Sequence, residues 1–279
     1  MTFKNFKVTS NLVDGELYFD NTRVGTLENG EYEVSDYPLT DSAKAYVKKK
    51  FSDGDLKSQK QSRSSEEINM KVGIIFDLDG TLLDTLGDLC DSVNHALTVH
   101  GHPVRTLEEV RRFVGNGIGN LIERAAPEGA DTDAVLRTFR EYYHAHDQVK
   151  THPYAGISAA LEEVRQKYPV AVVSNKVDTA VKPLCRNFFP GVYALGETEG
   201  CPRKPAPDMV YRAMEDIGVE KCLYVGDSEV DVTTAANAGV ECLCVTWGFR
   251  DKQQLIEAGG KYFCDDPEEL LQMIESILN

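Results

Sequence analysis

The run Val72-Gly73-Ile74-Ile75-Phe76 ends on Asp77-Leu78-Asp79-Gly80-Thr81, and this junction constrains the chain more than any other stretch. An uninterrupted apolar segment rich in β-branched residues predicts a strand covered on both faces. Such strands belong to parallel sheets, whose ligand sites lie beyond the carboxyl ends of the strands. Two carboxylates two residues apart at that place resist ionising together unless a cation or hydrogen bonds compensate. The pair points to a Mg²⁺ site in which one carboxylate attacks and its neighbour moves protons. The plainer alternative is an Asp-rich turn, and the rest of the chain weighs against it.

Downstream, the hydrophobic pattern divides into two regimes. Residues 87–152 read as helices only. Leu86, Leu89, Cys90, Val93 and Leu97 repeat at helical spacing, Thr106 with Glu109 forms a capping box, and further helices are predicted over 118–126 and 133–147. After Pro153, strands (170–173, 192–195, 223–225, 241–245) alternate with helices (158–167, 178–188, 207–217, 230–238, 267–278). Alternation of this kind predicts a doubly wound parallel sheet, Rossmann-like, with right-handed crossovers. The expected catalytic core is therefore 71–86 with 153–279, and 87–152 is a helical cap inserted into it.

The first 51 residues read as a small β-rich unit. Turn signals at Asp14-Gly15, Asp20-Asn21 and Asn29-Gly30 separate strand-like pieces at 16–19, 22–27 and 31–37, which suggests a meander. A short helix is predicted over 42–51, capped by Asp41. The polar stretch 52–69 reads as a flexible linker. A complete domain is expected to begin near Met70, with residues 1–69 appended to it.

Composition narrows the partners. A net charge of −15 argues against nucleic acid and anionic membranes, which need a basic surface. No apolar run reaches transmembrane length, and the N-terminal stretch lacks an apolar signal-like core. The seven cysteines form no CxxC pair, which suggests free thiols and a reducing, cytoplasmic setting. A small phosphorylated metabolite remains compatible, held by local positive groups and backbone amides. A homodimer is also compatible with the sequence.

Two further strand ends carry polar groups suited to phosphoryl transfer: Ser174-Asn175, and Gly226-Asp227-Ser228-Glu229-Val230-Asp231. Lys204 lies in Arg203-Lys204-Pro205-Ala206-Pro207, where prolines stiffen the loop around the ammonium. Taken singly, these are a helix cap, acidic residues at a helix start and a surface lysine. Taken in this order, they resemble the four motifs of the haloacid dehalogenase superfamily of phosphatases: DLDGTLLDT at 77–85, SN at 174–175, KPAP at 204–207 and GDSEVD at 226–231. The resemblance covers residues 71–279. It implies that Asp77 is the nucleophile and a Mg²⁺ ligand. Asp79 would be the general acid/base, with its carbonyl on the metal, and Asp227 a further ligand. Ser174 and Lys204, with Asn175, would hold the phosphoryl group, and Asp231 would orient Lys204 from behind the metal.

The branch of the superfamily can be narrowed. Asp79 argues against the dehalogenases, which protonate no alkoxide. The absence of lysine between Gly87 and Val149 argues against the phosphonate-cleaving branch, which uses a cap lysine. Gly115-Asn116-Gly117-Ile118-Gly119-Asn120 follows a helix rather than a strand, so it is not read as a dinucleotide loop. Instead Phe113-Val114-Gly115-Asn116-Gly117 resembles the cap segment of phosphoglycolate phosphatases. Arg112, Gly115, Asn116, Gly117 and Arg124 are therefore the candidates for reading a substrate carboxylate, since arginine suits bidentate recognition. The expected activity is Mg²⁺-dependent hydrolysis of 2-phosphoglycolate. The alternatives are a nucleotidase, a sugar-phosphate phosphatase, a phosphoglucomutase-like enzyme, or a non-enzymatic binding role for residues 1–51.

Overall fold

The computed structural model describes residues 2–9, 16–19, 22–26, 31–39, 44–51, 54–57, 61–62, 71–115 and 117–278. The chain divides into two compact units, Met1–Lys71 and Val72–Asn279.

The first unit is all β. Its strands are β1 (Thr2–Thr9), β2 (Glu16–Phe19), β3 (Thr22–Thr26), β4 (Glu31–Leu39), β5 (Lys44–Phe51), β6 (Gly54–Lys57) and β7 (Gln61–Ser62). β1 pairs antiparallel with β4, and a second sheet runs β3-β2-β5-β6 with β7 also on β5. Three expectations change here. The unit is not a meander, because β4 pairs with β1 rather than with β3. The predicted helix over 42–51 is strand β5, and its expected cap Asp41 lies outside the described residues. Lateral pairing on both sides, Val47 with Leu17 and Lys49 with Leu56, satisfies the β5 backbone and overrides its weak helical pattern. The stretch read as linker carries β6 and β7 on that same strand, so polar composition there does not mean unpaired backbone.

The second unit is built on one parallel sheet. Its strands are β8 (Val72–Phe76), β9 (Leu83–Asp84), β10 (His152–Pro153), β11 (Val170–Val177), β12 (Tyr193–Glu197), β13 (Lys221–Gly226), β14 (Cys242–Val245) and β15 (Tyr262–Cys264). Six of them form the sheet in the order β12-β11-β8-β13-β14-β15, every pair parallel. The first strand thus lies in the middle and the chain winds outward on both sides of it, the doubly wound pattern. β15 has only three residues and was not foreseen from periodicity.

Alternation along each strand sorts the core into two layers. On one face Ile74, Phe76, Val172, Leu223, Val225 and Leu243 pack against α5 (Ile157–Lys167), α6 (Asp178–Phe188) and α10 (Leu270–Leu278). On the other, Ile75, Ala171, Val173, Tyr224, Cys242 and Cys244 meet α7 (Asp208–Ile217), α8 (Glu229–Ala238) and α9 (Lys252–Glu257).

Between β9 and β10 the chain leaves for four helices, α1 (Leu86–Val99), α2 (Leu107–Phe113), α3 (Gly117–Ala125) and α4 (Thr132–His146). They share their own core, with Leu89, Val93, Leu97, Val110, Ile122 and Phe139 buried. The α2 capping box is present, Thr106 and Glu109 bonding each other's backbone. The two connections to this helical insertion are tied together. β9 and β10 pair antiparallel, and the buried Asp88 carboxylate accepts the backbone N–H groups of Val149, Lys150 and Thr151.

Removing that carboxylate leaves three donors without their acceptor. Asp88→Ala is expected to cost about 1–3 kcal/mol and to lower the thermal midpoint by several degrees. Calorimetry of the variant checks this, and an unchanged midpoint would show that water replaces the carboxylate at no cost.

Candidate active site

The ends of three neighbouring strands converge at the centre of the sheet. Asp77 follows β8 directly and is fixed there by its N–H, which donates to Val225 O at 2.8 Å. Ser174, Asn175 and Lys176 lie within β11 on one side, and Asp227 follows β13 on the other. Gly80 (φ +89°) and Gly248 allow the backbone to close over this point. A Cβ on Gly80 would strike the Asp227 carboxylate, and one on Gly248 would strike both Gly80 O and Asp227.

Lys204 is the hub on one side. Its buried ammonium donates to Asp77 Oδ1 at 2.8 Å, Asp231 Oδ1 at 2.8 Å and the Tyr224 hydroxyl at 3.0 Å, which uses all three of its protons. Asn175 Nδ2 donates to Lys204 O at 3.0 Å, so this amide braces the lysine loop. Asp231 is filled: Lys204 and Tyr224 occupy Oδ1, while Ser228 N–H and Oγ occupy Oδ2 at 3.1 and 2.6 Å. Asp227 accepts from Thr81 Oγ1 at 3.1 Å and from Phe249 N–H at 2.7 Å.

On the other side Asp79 turns away from this group. It pairs with Lys176 Nζ at 2.8 Å and accepts from Ser174 Oγ at 3.4 Å. Lys176 also lies 5.1 Å from the ring centroid of Tyr143, which arrives from α4.

The electrostatics leave room for a cation. Asp77, Asp227 and Asp231 each place an oxygen within 4.8 Å of the others. Counting Asp79, four carboxylates face two ammonium groups, an excess of two negative charges. Burial, reinforced by Asp231, raises Asp77 well above the usual carboxylate range despite Lys204. Burial and Asp231 likewise push Asp227 up to about 7, against the Phe249 and Thr81 hydrogen bonds. Lys204 stays above its ordinary value, because Asp231 and Asp77 outweigh the burial that opposes its charge. An all-oxygen donor set with that excess charge fits a hard divalent cation. Asp77 and Asp227 retain free lone pairs for it, whereas Asp231 is already occupied.

The pocket above these groups is closed by Leu89, Val114, Gly115, Gly117, Ile118 and Leu121 of the helical insertion and by Phe249 and Arg250. Of the five cap candidates, Gly115 and Gly117 line it, and Asn116 lies outside the described residues. Arg112 and Arg124 are corrected. Arg112 is exposed and pairs with Glu108 at 3.5 Å, one turn earlier on the same helix. Arg124 is exposed and donates to Phe113 O at 3.1 Å. Neither reaches the pocket.

Two charged lining residues, Lys176 and Arg250, were missed in the sequence. Lys176 belongs to the same polar tripeptide as Ser174 and Asn175. Arg250 lies just beyond β14, the one central strand end not searched for polar groups. Its buried guanidinium pairs with Glu229 at 2.7 Å and donates to Arg111 O at 3.1 Å and Val114 O at 2.6 Å. It thereby fastens the α2 end of the insertion to the core.

Comparison with known proteins agrees with this geometry. The family model for haloacid dehalogenase-like hydrolases matches residues 74–245. Phosphoglycolate phosphatase 1 of Pseudomonas aeruginosa is 32% identical over 212 residues, covering 71% of this chain and 78% of that protein. The phosphoglycolate phosphatase of Vibrio parahaemolyticus is 31% identical over 216 residues, covering 72% and 95%. A solved structure from Lactobacillus delbrueckii, provisionally named a phosphoglycolate phosphatase, superposes with a TM-score of 0.70 at 36% identity, covering 74% of this chain and 98% of that one. Residues 2–72 match a different model, the TcaA protein 3rd/4th domain. The chain belongs to the haloacid dehalogenase-like hydrolase family. Within it, the chain is an enzyme of the phosphoric monoester hydrolase class. No helix among the described residues is long and apolar enough to cross a membrane.

The raised carboxylates give a sign to the pH dependence of the metal-free protein. Asp227 titrates near 7 when folded and near its ordinary value of about 3.9 when unfolded. Between those values the folded state binds more protons, so stability falls as pH rises. In chelator, the thermal midpoint is expected to drop from about pH 5 to about pH 8, and a divalent cation should restore it. A midpoint that rises over that interval in chelator would contradict this electrostatic account.

Proposed function

We propose that the chain hydrolyses 2-phosphoglycolate to glycolate and phosphate with Mg²⁺ as its resident cation. The observation that carries the chemistry is the division of labour between two carboxylates two residues apart. Asp77 is locked beside Lys204, and Asp79 is turned toward Lys176 and Ser174. The substrate comes from the relatives named phosphoglycolate phosphatase, together with the small, capped pocket.

Asp77 and Asp227 would hold Mg²⁺ with the Asp79 carbonyl, which lets a carboxylate approach a phosphate dianion and draws charge from its oxygens. A free oxygen of Asp77 attacks phosphorus, forming the aspartyl-phosphate as the bond to the glycolate oxygen breaks. Asp79 gives its proton to that departing oxygen. It then takes a proton from the water that attacks phosphorus, releasing phosphate and restoring Asp77. Lys204 and Ser174 hold the phosphoryl oxygens through the transfer. Asp231 and Tyr224 hold Lys204 in place from behind. The apolar lining from the insertion keeps bulk water from the intermediate.

Asp77→Asn keeps the shape of the side chain and removes the nucleophile. Turnover is expected to fall on the order of 10⁴-fold or more, with the circular dichroism spectrum unchanged; substantial residual turnover would rule out the assignment of Asp77. For the substrate, kcat/KM for 2-phosphoglycolate is expected to exceed that for an aryl phosphate, and equal values would refute the choice.

Every side chain of the site lies within 72–279, so we also propose that this unit carries catalysis alone. Protein beginning at Met70 should match the full chain in kcat/KM. A large loss would assign the first unit a part in the reaction.

A further inference from the structure

Arg112 and Arg124 are directed elsewhere, so neither reads a substrate carboxylate. The pocket lining contains three cations: Lys204, Arg250 and Lys176. Lys204 stands beside Asp77 and belongs to the phosphoryl group rather than to a second anion. Arg250 spends its guanidinium on Glu229 and on the carbonyls of Arg111 and Val114. Arg203 comes close to Gly117 but is exposed and outside the lining. Lys176 differs from all of these. Its ammonium is buried and makes one ion pair, with Asp79 at 2.8 Å. On the cap side it faces Tyr143, with the ring centroid 5.1 Å away and the hydroxyl toward the ammonium, and the Asp147 carboxylate lies within its electrostatic reach. A buried ammonium that lines the pocket and makes a single ion pair can take a further anionic group there.

The strand geometry gives that place a distance from the phosphate. Ser174 and Lys176 lie two residues apart on β11 and both line the pocket. Side chains so related point to one face and are displaced by roughly 6–7 Å along the strand. A phosphoryl group held at Ser174 and Lys204 therefore leaves Lys176 one short step further toward the insertion. A single methylene separates the ester oxygen of 2-phosphoglycolate from its carboxylate, so the second anion falls on that side.

We propose that Lys176 is the specificity-determining residue that binds the substrate's carboxylate, with Tyr143 beside it. This rests on the 2-phosphoglycolate reading above and adds to it the group responsible for discrimination.

The test compares 2-phosphoglycolate with ethyl phosphate, a two-carbon phosphate ester without the carboxylate, on the full chain with Mg²⁺. In Lys176→Met the ratio of the two kcat/KM values is expected to fall about 10–100-fold, the weight of one lost charge-assisted hydrogen bond. The loss should appear mainly in KM for 2-phosphoglycolate. Lys176→Arg keeps the cation and should recover most of the ratio. If the methionine variant does not fold, Lys176→Gln carries the same comparison with similar length and polarity. Equal losses on both substrates, with the ratio intact, would overturn the proposal and leave Lys176 acting through Asp79 alone. A wild-type enzyme with no preference for 2-phosphoglycolate over ethyl phosphate would overturn the substrate reading itself, and the carboxylate site with it.

Discussion

Four carboxylates meet two lysines in a buried place at the middle of a parallel sheet, and the other features of the site follow from that imbalance. Asp77, Asp79 and Asp227 are delivered by the ends of adjacent strands, while Asp231 belongs to the helix after β13. Lys204 lies between Asp77 and Asp231, and Lys176 pairs with Asp79. What remains is two negative charges with Asp77 and Asp227 pushed up out of the usual carboxylate range. A divalent cation relieves that cost and turns a destabilising cluster into a binding site for a phosphate dianion. The neutral contacts around it, from Tyr224, Thr81, Ser228 and the Phe249 N–H, hold the charges at fixed distances. Preorganisation of this kind is where such enzymes obtain their electrostatic advantage.

The sheet explains why these groups can be brought together by so short a set of motifs. β8 is first in sequence and central in space, flanked by β11 and β13. Two strand-end segments therefore face the first one from either side, and the chain needs no long-range contrivance to assemble them. The insertion departs at the same junction, so its helices arrive over the site by connectivity alone. Arg250 then adds a charged fastening between that insertion and the core, through backbone carbonyls rather than through a side chain that substrate could displace.

Much of this was legible in the sequence because strand ends in a parallel sheet are functional by position. The run 72–76 and the later βα alternation put Asp77, Ser174 and Asp227 at strand ends of a parallel sheet, and the resemblance to the superfamily's motifs implied that they share one site. Lys176 was passed over because the apolar run ended at Val173, while β11 continues to Val177 and carries the lysine inside the strand. Arg250 was passed over because it lies five residues past β14. Arg112 and Arg124 misled because proximity in sequence to the glycine tract says nothing about helix phase. Arg112 points along α2 to Glu108, four residues earlier. The first unit was the least legible part. Its polar, lysine-rich segments carry little hydrophobic periodicity, so lateral strand pairing, which sequence pattern does not encode locally, decided β5 to β7.

Asp88 gathers three amides from the far end of the insertion onto a residue at its near end, next to the β9–β10 ribbon. Mechanically, the two threads that enter and leave the four-helix body are stitched into one strap. Swinging that body away from the sheet must then twist both threads together about a common axis, as a door turns on a single pin. The same stitch keeps the departure and return points of the insertion in register beside the sheet.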